Sequence, residues 1–573
     1  MRIIEMEIYN FRGIHNCKIR FSKNNRLICL IGAGDSTKST ILLAIEWLFN
    51  KSWNLPVCDN DFFNGETRNN IIIRGTFTEF PKEFMAEDKF GMYLRRSGVP
   101  YDSVSNDEPT DDTSICLTMQ LTIDSSLEPR WEVVCNRGEA KHISNRDRSK
   151  LPIGCVGNDC AKDLVWGRYS VLQKYADAKG VLHEAYTKVL REASDKVDLS
   201  QLDAFVGDIA GIGSEFGVGF ENDIKNKLMI YNGSFSSSAG LYDGSVPLNL
   251  RGLGSQRLLS MGLNITASQD GTVLLVDEVE NGLEPYRLRS LINKLRALTD
   301  SAGQVILTTH SPVVLTECRA SELCIVNSNQ GLTEVYTLGD SDKDVYTQMQ
   351  AQIRSDADAF LSKALIVCEG KTECGFIKAL DDYVDQTFGY RLAYKGIGTA
   401  MGGGENTFKY AKTFRDCGYT ISIFMDSDKV EEKSKKDNYR NIEGIQIFDW
   451  DEPNSIEQQL FMDLPETLAQ KLLDIAVDEK GSETIKSALN TKNIRYHEND
   501  GQIVLEDFSN QTRLALGELA KRKSKKGKVG EWYKRIDLGR LVGDVVFENW
   551  SEISQSTKLY QTIQSLLEWV NEI

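Results

Sequence analysis

The chain has 573 residues, of which 41% are hydrophobic and 26% charged, and its formal net charge is −16. That length accommodates about two to four domains, and the composition excludes a low-complexity or disordered chain. No apolar run approaches the roughly 18 residues of a membrane span, and the acidic balance excludes a surface that is basic throughout, although a local basic groove remains compatible with it. One basic cluster stands late in the chain, at Lys521, Arg522, Lys523, Lys525, Lys526 and Lys528. Charges interrupt the apolar residues of the opening MRIIEMEIYNFRG, so it does not read as a signal peptide. The twelve cysteines form no C-x-x-C pair. Cys155 and Cys160 come nearest to a metal pair, but no second pair complements them, and reduced thiols in a cytoplasmic protein are the expectation.

Taken in order, residues 3–8 and 26–31 read as strands, the second running through a Gly-rich turn into a helical segment at 39–49. Strand-like runs follow at 71–80, 115–123 and 131–135, with a polar loop at 98–114. Residues 160–235 read as mainly helical, with apolar spacing near 3.6 across 161–189. A Gly/Ser-rich stretch at 232–244 reads as a mobile connection. Strand signals return at 272–276 and 304–308. A break near 338–345 leads through a helical stretch, 345–363, to a new alternation of apolar strands, at 364–368, 420–425 and 445–448, and helices. That order predicts a second, parallel α/β domain. The expected division is 1–345 and 346–573.

The turn after residues 26–31 is Gly32-Ala-Gly34-Asp35-Ser-Thr37-Lys38-Ser39-Thr40, close to the P-loop pattern G-x-x-x-x-G-K-[ST]. In such a loop backbone N–H groups curl around phosphates at a helix N-terminus, so Gly32, Gly34, Asp35, Thr37 and Thr40 would frame a nucleotide. Lys38 would reach its terminal phosphates and Ser39 would hold Mg²⁺. Thr37 stands where glycine is expected, at a position whose backbone geometry is costly for a β-branched side chain. Downstream, residues 272–276 end in Asp277 and Glu278. Asp277 would support Mg²⁺, and Glu278 would be general base for an attacking water. A buried strand that merely ends in acids is the plainer alternative. His310, after 304–308, is placed to sense a γ-phosphate.

Leu250-Arg-Gly-Leu-Gly-Ser255-Gln256-Arg257 resembles the signature segment of ABC-type ATPases such as the SMC and RecF groups, and Asn10-Phe11-Arg12-Gly13 resembles their N-terminal turn. The resemblance implies paired heads sandwiching ATP, with Ser255 and Gln256 touching nucleotide on the partner head. It also implies a compact dimerisation element within 160–235.

The second half ends its first strand in Glu369-Gly-Lys-Thr-Glu373 and its next in Asp426-Ser-Asp428, the Toprim pattern. Adjacent parallel strands bring their C-terminal ends together. Extended backbone sends Asp426 and Asp428 to one side, and Glu369 and Glu373 share a face if a helix starts there. Such oxygen ligands suit Mg²⁺ or Mn²⁺. A third cluster, Asp451-Glu-Pro-Asn-Ser455-Ile-Glu457, reads either as ligands of a second metal, with two-metal phosphodiester chemistry, or as a solvated loop before a helix.

Taken whole, the chain resembles the OLD family of nucleases, an ABC-type ATPase followed by a Toprim domain. The resemblance covers both halves and maps the family's site onto Glu369, Glu373, Asp426, Asp428, Ser455 and Glu457. It also implies a late lysine near the scissile phosphate, Lys534 in Gly530-Glu-Trp-Tyr-Lys534-Arg, with Lys526 and Lys528 as substitutes. The expectation is therefore an α/β chain whose ATPase controls a metal-dependent endonuclease acting on DNA. It would be a cytoplasmic homodimer or homotetramer with no membrane contact. Family members serve bacterial anti-phage defence, alone or beside a partner such as a reverse transcriptase with its RNA–DNA product. A scaffold or sensor with an inactive Toprim domain is the alternative. Topoisomerase and primase readings fail for want of a nucleophile-bearing gate domain and a zinc module.

Overall fold

A computed structural model describes residues 1–22, 24–98, 109, 115–157, 162–166, 170–172, 175, 200–229, 238–267, 271–300, 303–338, 343–429, 433–499, 501–522 and 530–573. The chain forms two compact units, Met1–Ala357 and Asp358–Ile573. The division falls beyond the expected 345/346 because the helix Lys343–Ser355 packs within the first unit, where Gln350 Oε1 accepts the Ala320 N–H and Gln350 Nε2 donates to Cys318 O. A short 3₁₀ turn, Ala357–Leu361, then leads to the second unit's first strand.

The first unit is built on one 13-stranded sheet. Its antiparallel part runs from Lys141–His142 through Pro129–Val133, Ile115–Ile123, Ile71–Thr78 and Arg2–Phe11 to Ile14–Arg20. Along Arg2–Phe11 a register shift between Ile3 and Glu5 brings Ile3 into the same core as Met6 and Ile8, with Trp47, Phe49 and Phe77. The parallel part carries the strands Leu323–Asn329, Leu27–Ile31, Gln304–Thr308, Val273–Val276 and Ile153–Val156 in that order. Three of these, Leu27–Ile31, Val273–Val276 and Gln304–Thr308, are buried along their whole length; the first two read as unbroken apolar runs and the third as Val-Ile-Leu between a buried glutamine and threonine, as strands covered on both faces do.

Two sequence expectations change here. The segment 160–235 is not helical throughout: its described part holds the helices Ser200–Asp203 and Val206–Glu215 but also the strand Ile224–Met229. That strand pairs antiparallel with Ser238–Asp243, which makes the second half of the Gly/Ser-rich stretch a strand rather than a loop. Ser238–Asp243 also pairs with Val246–Pro247, and its small and polar residues hide it because its stability comes from pairing on both sides rather than from an apolar pattern. Most of 161–189, most of the 98–114 loop and the basic residues 523–528 lie outside the described residues.

The second unit has a four-stranded parallel sheet in the order Ile397–Met401, Ala364–Cys368, Thr420–Phe424, Ile445–Phe448. Ala364–Cys368 is central and buried throughout. The helix Lys371–Phe388 follows it directly and packs against Ile536–Glu548 at a spacing only glycine permits. A Cβ on Gly375 would stand 2.2 Å from Ile536 O, and one on Gly539 would stand 2.3 Å from Thr372 O. This close approach seals the first turn of Lys371–Phe388, where Glu373 sits. A helical layer, Ile456–Asp463, Glu466–Lys480, Ser482–Thr491, Asn510–Lys521 and Lys558–Glu572, completes the core around Leu460, Leu472, Trp532 and Leu566. Among the described residues no helix is long and apolar enough to cross a membrane.

Candidate functional site

In the first unit the parallel register gathers the C-terminal ends of Leu27–Ile31, Val273–Val276 and Gln304–Thr308. The turn 32–37 wraps there before the helix Lys38–Leu48 begins. Gly32 lies at φ 144°, and a Cβ on it would meet Val326 O at 2.3 Å, so no other residue fits. Thr37 adopts φ 66°, ψ 13°, the left-handed region that the glycine of a P-loop supplies freely and a β-branched residue reaches only with strain. Its hydroxyl lies 3.1 Å from that of Thr333, and a Cβ on Gly13 of the N-terminal turn would meet its methyl at 3.3 Å.

Lys38 is buried, and its ammonium curls back to Gly32 O at 3.1 Å, Ala33 O at 2.7 Å and Ser36 Oγ at 2.9 Å. Burial lowers its pKa from 10.5 to about 8, against the opposing pull of Asp35, Asp277 and Glu280. Ser39 Oγ donates to Asp277 Oδ1 at 2.9 Å, and Thr308 Oγ1 donates to the same oxygen at 2.6 Å. Ser39 and Asp277, the two expected Mg²⁺ supports, are therefore in direct contact, on a hydroxyl and a carboxylate suited to a hard cation. Glu278 follows at φ 46°, its N–H bound to Thr308 Oγ1 at 2.8 Å. His310 donates its backbone N–H to Glu280 Oε1 at 2.6 Å, so the turn after Asp277 and the turn after Gln304–Thr308 are tied together. Thr40 is half-buried in the first turn of Lys38–Leu48, and Gly34 and Asp35 are exposed.

The segment resembling a signature starts the helix Leu253–Ala267. Gly254 touches the 280–285 turn: a Cβ there would stand 2.2 Å from Gly282 O. Gln256 Nε2 is spent on Asn249 O and Arg251 O, while Ser255 stays half-exposed. Arg257 was not anticipated from sequence. Fully buried, it donates to Asp277 O and Glu278 O and so braces the acid-bearing turn. An arginine inside an apolar helix was the available signal.

In the second unit the sheet register, Cys368 beside Phe424 and Phe424 beside Phe448, brings three acidic strand ends together. Glu369 Oε2 accepts the Asp426 N–H at 3.1 Å, joining the first two clusters. Asp426 Oδ1 accepts the Ile456 N–H at 2.8 Å, joining the third. Ser455 caps the helix Ile456–Asp463, and its hydroxyl donates to Glu457 Oε2 at 2.7 Å. Ser455 and Glu457 therefore turn inward, and the solvated-loop alternative is excluded for them: both are buried. Glu373 is buried as well.

This crowding has an electrostatic signature. Burial and the charge of Glu457, then Glu369, push Glu373 from 4.5 up to about 8. Asp426 rises well above the usual carboxylate range through burial first and then Glu373, Glu457, Glu369 and Asp428. Glu457 rises too, chiefly by burial, although Ser455 and Lys521 pull it down. As they stand, the carboxylates spend their lone pairs on N–H and O–H donors, and among the described residues no three His, Cys, Asp or Glu side chains already converge as a metal cage. The donor set nonetheless fits a hard divalent cation: all oxygen, drawn from three strand ends, and with more negative charge than the neighbouring groups offset.

Two lysines reach this cluster. Lys429 Nζ lies 3.1 Å from Glu369 Oε1, and Lys521 Nζ lies 2.8 Å from Asp428 Oδ2 and 3.3 Å from Gln458 Oε1. Lys534, the expected lysine, pairs with Glu531 at 3.0 Å and lines a cavity of about 150 Å³ with Lys480 and Arg535. Its neighbours Trp532 and Tyr533 are fully buried, and Tyr533 O accepts from Thr372 Oγ1. Lys526 and Lys528 lie outside the described residues. Lys521 was legible only as part of a basic run. Of the cysteines, Cys155 is half-buried and Cys160 lies outside the described residues.

Comparison with known proteins now gives these sites a family context. Residues 1–147 match an AAA ATPase domain family. Residues 218–316 match the family described as AAA domain, putative AbiEii toxin, Type IV TA system. Residues 360–428 match the family described as Overcoming lysogenization defect protein-like, TOPRIM domain, and so include Glu369, Glu373, Asp426 and Asp428. The Old nuclease of Escherichia phage P2 is 25% identical over 195 residues, covering 31% of this chain and 33% of the phage protein. The chain thus aligns with about a third of that relative's length. Among solved structures, an Smc head bound to the C-winged helix domain of ScpA has a TM-score of 0.38 at 15% identity, covering 59% of this chain and 97% of that one. The Smc head domain of Thermotoga maritima has a TM-score of 0.29 at 15% identity, covering 59% and 99%. On the matches at 1–147 and 360–428, the chain is an α/β protein in which an AAA-family ATPase domain is followed by an OLD-like TOPRIM domain.

Proposed function

We propose that the chain is a nuclease that cleaves phosphodiester bonds of DNA with divalent metal at the TOPRIM carboxylates, under control of ATP bound at the P-loop. The observation that carries this reading is the placement of buried Glu373 and Glu457 with half-buried Asp426 on three neighbouring strand ends, each with a raised pKa. A cation there offsets the excess charge. Glu369, Glu373, Asp426, Asp428 and Glu457 would hold Mg²⁺ or Mn²⁺, and the metal would supply a Lewis acid and an activated water.

The protein's own part is placement. The Ile456 N–H fixes Asp426, the Ser455 hydroxyl orients Glu457, and Lys521 stands beside Asp428, ready to meet a phosphate oxygen. Lys534 and Arg535, on the exposed turn beyond Tyr533, are suited to contact the nucleic-acid backbone, which makes binding salt-sensitive. At the other site Lys38 would exchange its carbonyl partners for phosphate oxygens, Ser39 and Asp277 would hold Mg²⁺, Glu278 would polarise a water, and His310 would stand at the γ-phosphate. Exposed Leu250 and Leu253 beside Ser255 support pairing of two ATPase domains in an even-numbered homo-oligomer, with Ser255 of one facing nucleotide on the other and Gln256, buried and bonded to Asn249 O and Arg251 O, holding the turn behind it. The family descriptions at 218–316 and 360–428, a putative toxin and an overcoming-lysogenization-defect domain, support a place in conflict between bacteria and phage.

Plasmid cleavage by the wild type and by Glu369→Ala and Asp426→Ala tests the reading. The wild type is expected to cut with Mg²⁺ or Mn²⁺ and not with chelator, and both variants are expected to be silent. A wild type that binds DNA and ATP but never cuts would leave a scaffold instead.

A further inference from the structure

The helix Lys433–Arg440, KSKKDNYR, has the composition of a solvated surface helix. One of its lysines is not on the surface. Lys436 is 3% exposed, and its ammonium places three donors inside the protein: on Asp426 O at 2.5 Å, on Ser427 Oγ at 2.9 Å and on Asp449 Oδ2 at 3.2 Å. An ammonium has three N–H groups, so every one is used. Asp449, itself buried, shares the same carboxylate oxygen with Arg440 Nη2 at 2.6 Å, and its main-chain oxygen accepts from Thr562.

Burying an ammonium costs several kcal/mol before pairing, and replacing a whole buried ion pair such as Lys436–Asp449 by well-packed apolar residues is often neutral or stabilising. A charge here therefore calls for a reason beyond packing, and the D-x-D turn supplies one. Asp426 and Asp428 share one side of the extended segment, and the residue between them faces the other. Ser427 meets Lys436 on that far side. From the third strand end the Asn454 main-chain oxygen holds the Ser427 N–H at 2.9 Å, and the Ile456 N–H holds Asp426 Oδ1 at 2.8 Å. The turn is thus pinned from both sides, with a positive charge directly behind it. Glu373, Asp426 and Glu457 crowd its front.

We propose that Lys436 is a positioning residue of the TOPRIM metal site: its buried ammonium locks the Asp426–Asp428 turn and offsets the repulsion among the carboxylates that receive the cation. This rests on reading the carboxylate cluster as a divalent-metal site. Lys436 touches neither metal nor substrate, and it acts through the main chain of Asp426 and the hydroxyl of Ser427.

Calorimetric titration of Mn²⁺ into the full chain, without nucleotide, tests it. Loss of a partner behind a metal ligand costs about 10–100-fold in affinity. Lys436→Met is expected to weaken Mn²⁺ binding by that factor while keeping the wild-type circular dichroism, with a lower thermal midpoint because Asp449 loses one of its two cations, and Lys436→Arg, which keeps the charge, is expected to fall between. A folded Lys436→Met that binds Mn²⁺ like the wild type overturns the proposal. Should Lys436→Met not fold, Ser427→Ala decides. It removes one bond to the ammonium, and weaker Mn²⁺ binding at unchanged stability supports the proposal, while wild-type affinity overturns it. A wild type with no saturable Mn²⁺ binding removes the metal reading itself, an outcome distinct from either.

Discussion

The two candidate sites carry charge in opposite ways. At the P-loop Lys38 and Asp277 each have close hydrogen-bond partners, although burial still lowers the Lys38 pKa to about 8. Lys38 is wrapped by two carbonyls and a hydroxyl, and Asp277 accepts from Ser39 and Thr308. At the TOPRIM sheet buried Glu373 and Glu457 and half-buried Asp426 repel one another, and the hydrogen bonds and lysines around them do not bring their pKa values back to the ordinary range. A loop that satisfies itself can rest without its ligand. A cluster that does not is stable only when protonated or when a cation is present. On the proposed reading, the imbalance, more than the number of acids, marks where a metal would bind.

The strongest way to break this contrast is at the carboxylates. Asp426→Ala is expected to lower metal-dependent cleavage by more than about 100-fold, since metal stabilisation of the transition state is worth several kcal/mol. Cleavage within tenfold of wild type, on the order of 1.4 kcal/mol or less, would place the chemistry elsewhere. Lys38→Ala should come next. It removes charge-assisted bonds worth about 1.5–3 kcal/mol each, so ATP affinity should drop by at least about 100-fold with the second unit still folded. Fluorescent-nucleotide binding reads the first and circular dichroism the second.

Proton linkage sharpens the contrast further. Glu373 binds its proton more tightly in the native state, about 8 against 4.5. Between those values the native state holds more protons than the unfolded chain, so metal-free stability should fall as pH rises through that window. Metal needs the ionised form, so its stabilising increment should grow over the same range, by at most about 1.4 kcal/mol per pH unit per displaced proton. Thermal midpoints with and without Mn²⁺ across that window test this, and a pH-independent increment would contradict it. The smallest effect belongs to Thr37→Gly. Relief of left-handed strain, about 1–2 kcal/mol, is partly offset by glycine's entropy, about 0.5–1 kcal/mol, and by loss of the Thr333 contact. A net gain below about 1 kcal/mol in urea unfolding is expected.

Much of this was legible in the sequence, because both sites lie at the ends of strands that announce themselves. The runs at 304–308, 364–368 and 445–448 needed no adjustment, and the acids that follow them inherit their positions from the sheet. Thr37 was legible as a misfit, and its left-handed backbone follows from that loop geometry. What sequence hid was long-range. The strand Ile397–Met401, in a run thick with glycine, shows its nature only by pairing with Ala364–Cys368. Lys436 and Lys521 sit among other lysines, and a lysine that folds inward has the same letters around it as one that does not. Arg257 joins its helix to the Asp277–Glu278 backbone across twenty residues, a link no local pattern contains.

The most direct test is Mn²⁺ binding to the full chain in the absence of nucleotide, followed by electron paramagnetic resonance, with wild type and Asp426→Ala side by side. The account predicts saturable binding in the wild type that is lost in the variant, while ATP binding through Lys38 stays intact in both. Equal Mn²⁺ binding by the two proteins, or none by the wild type, would contradict it.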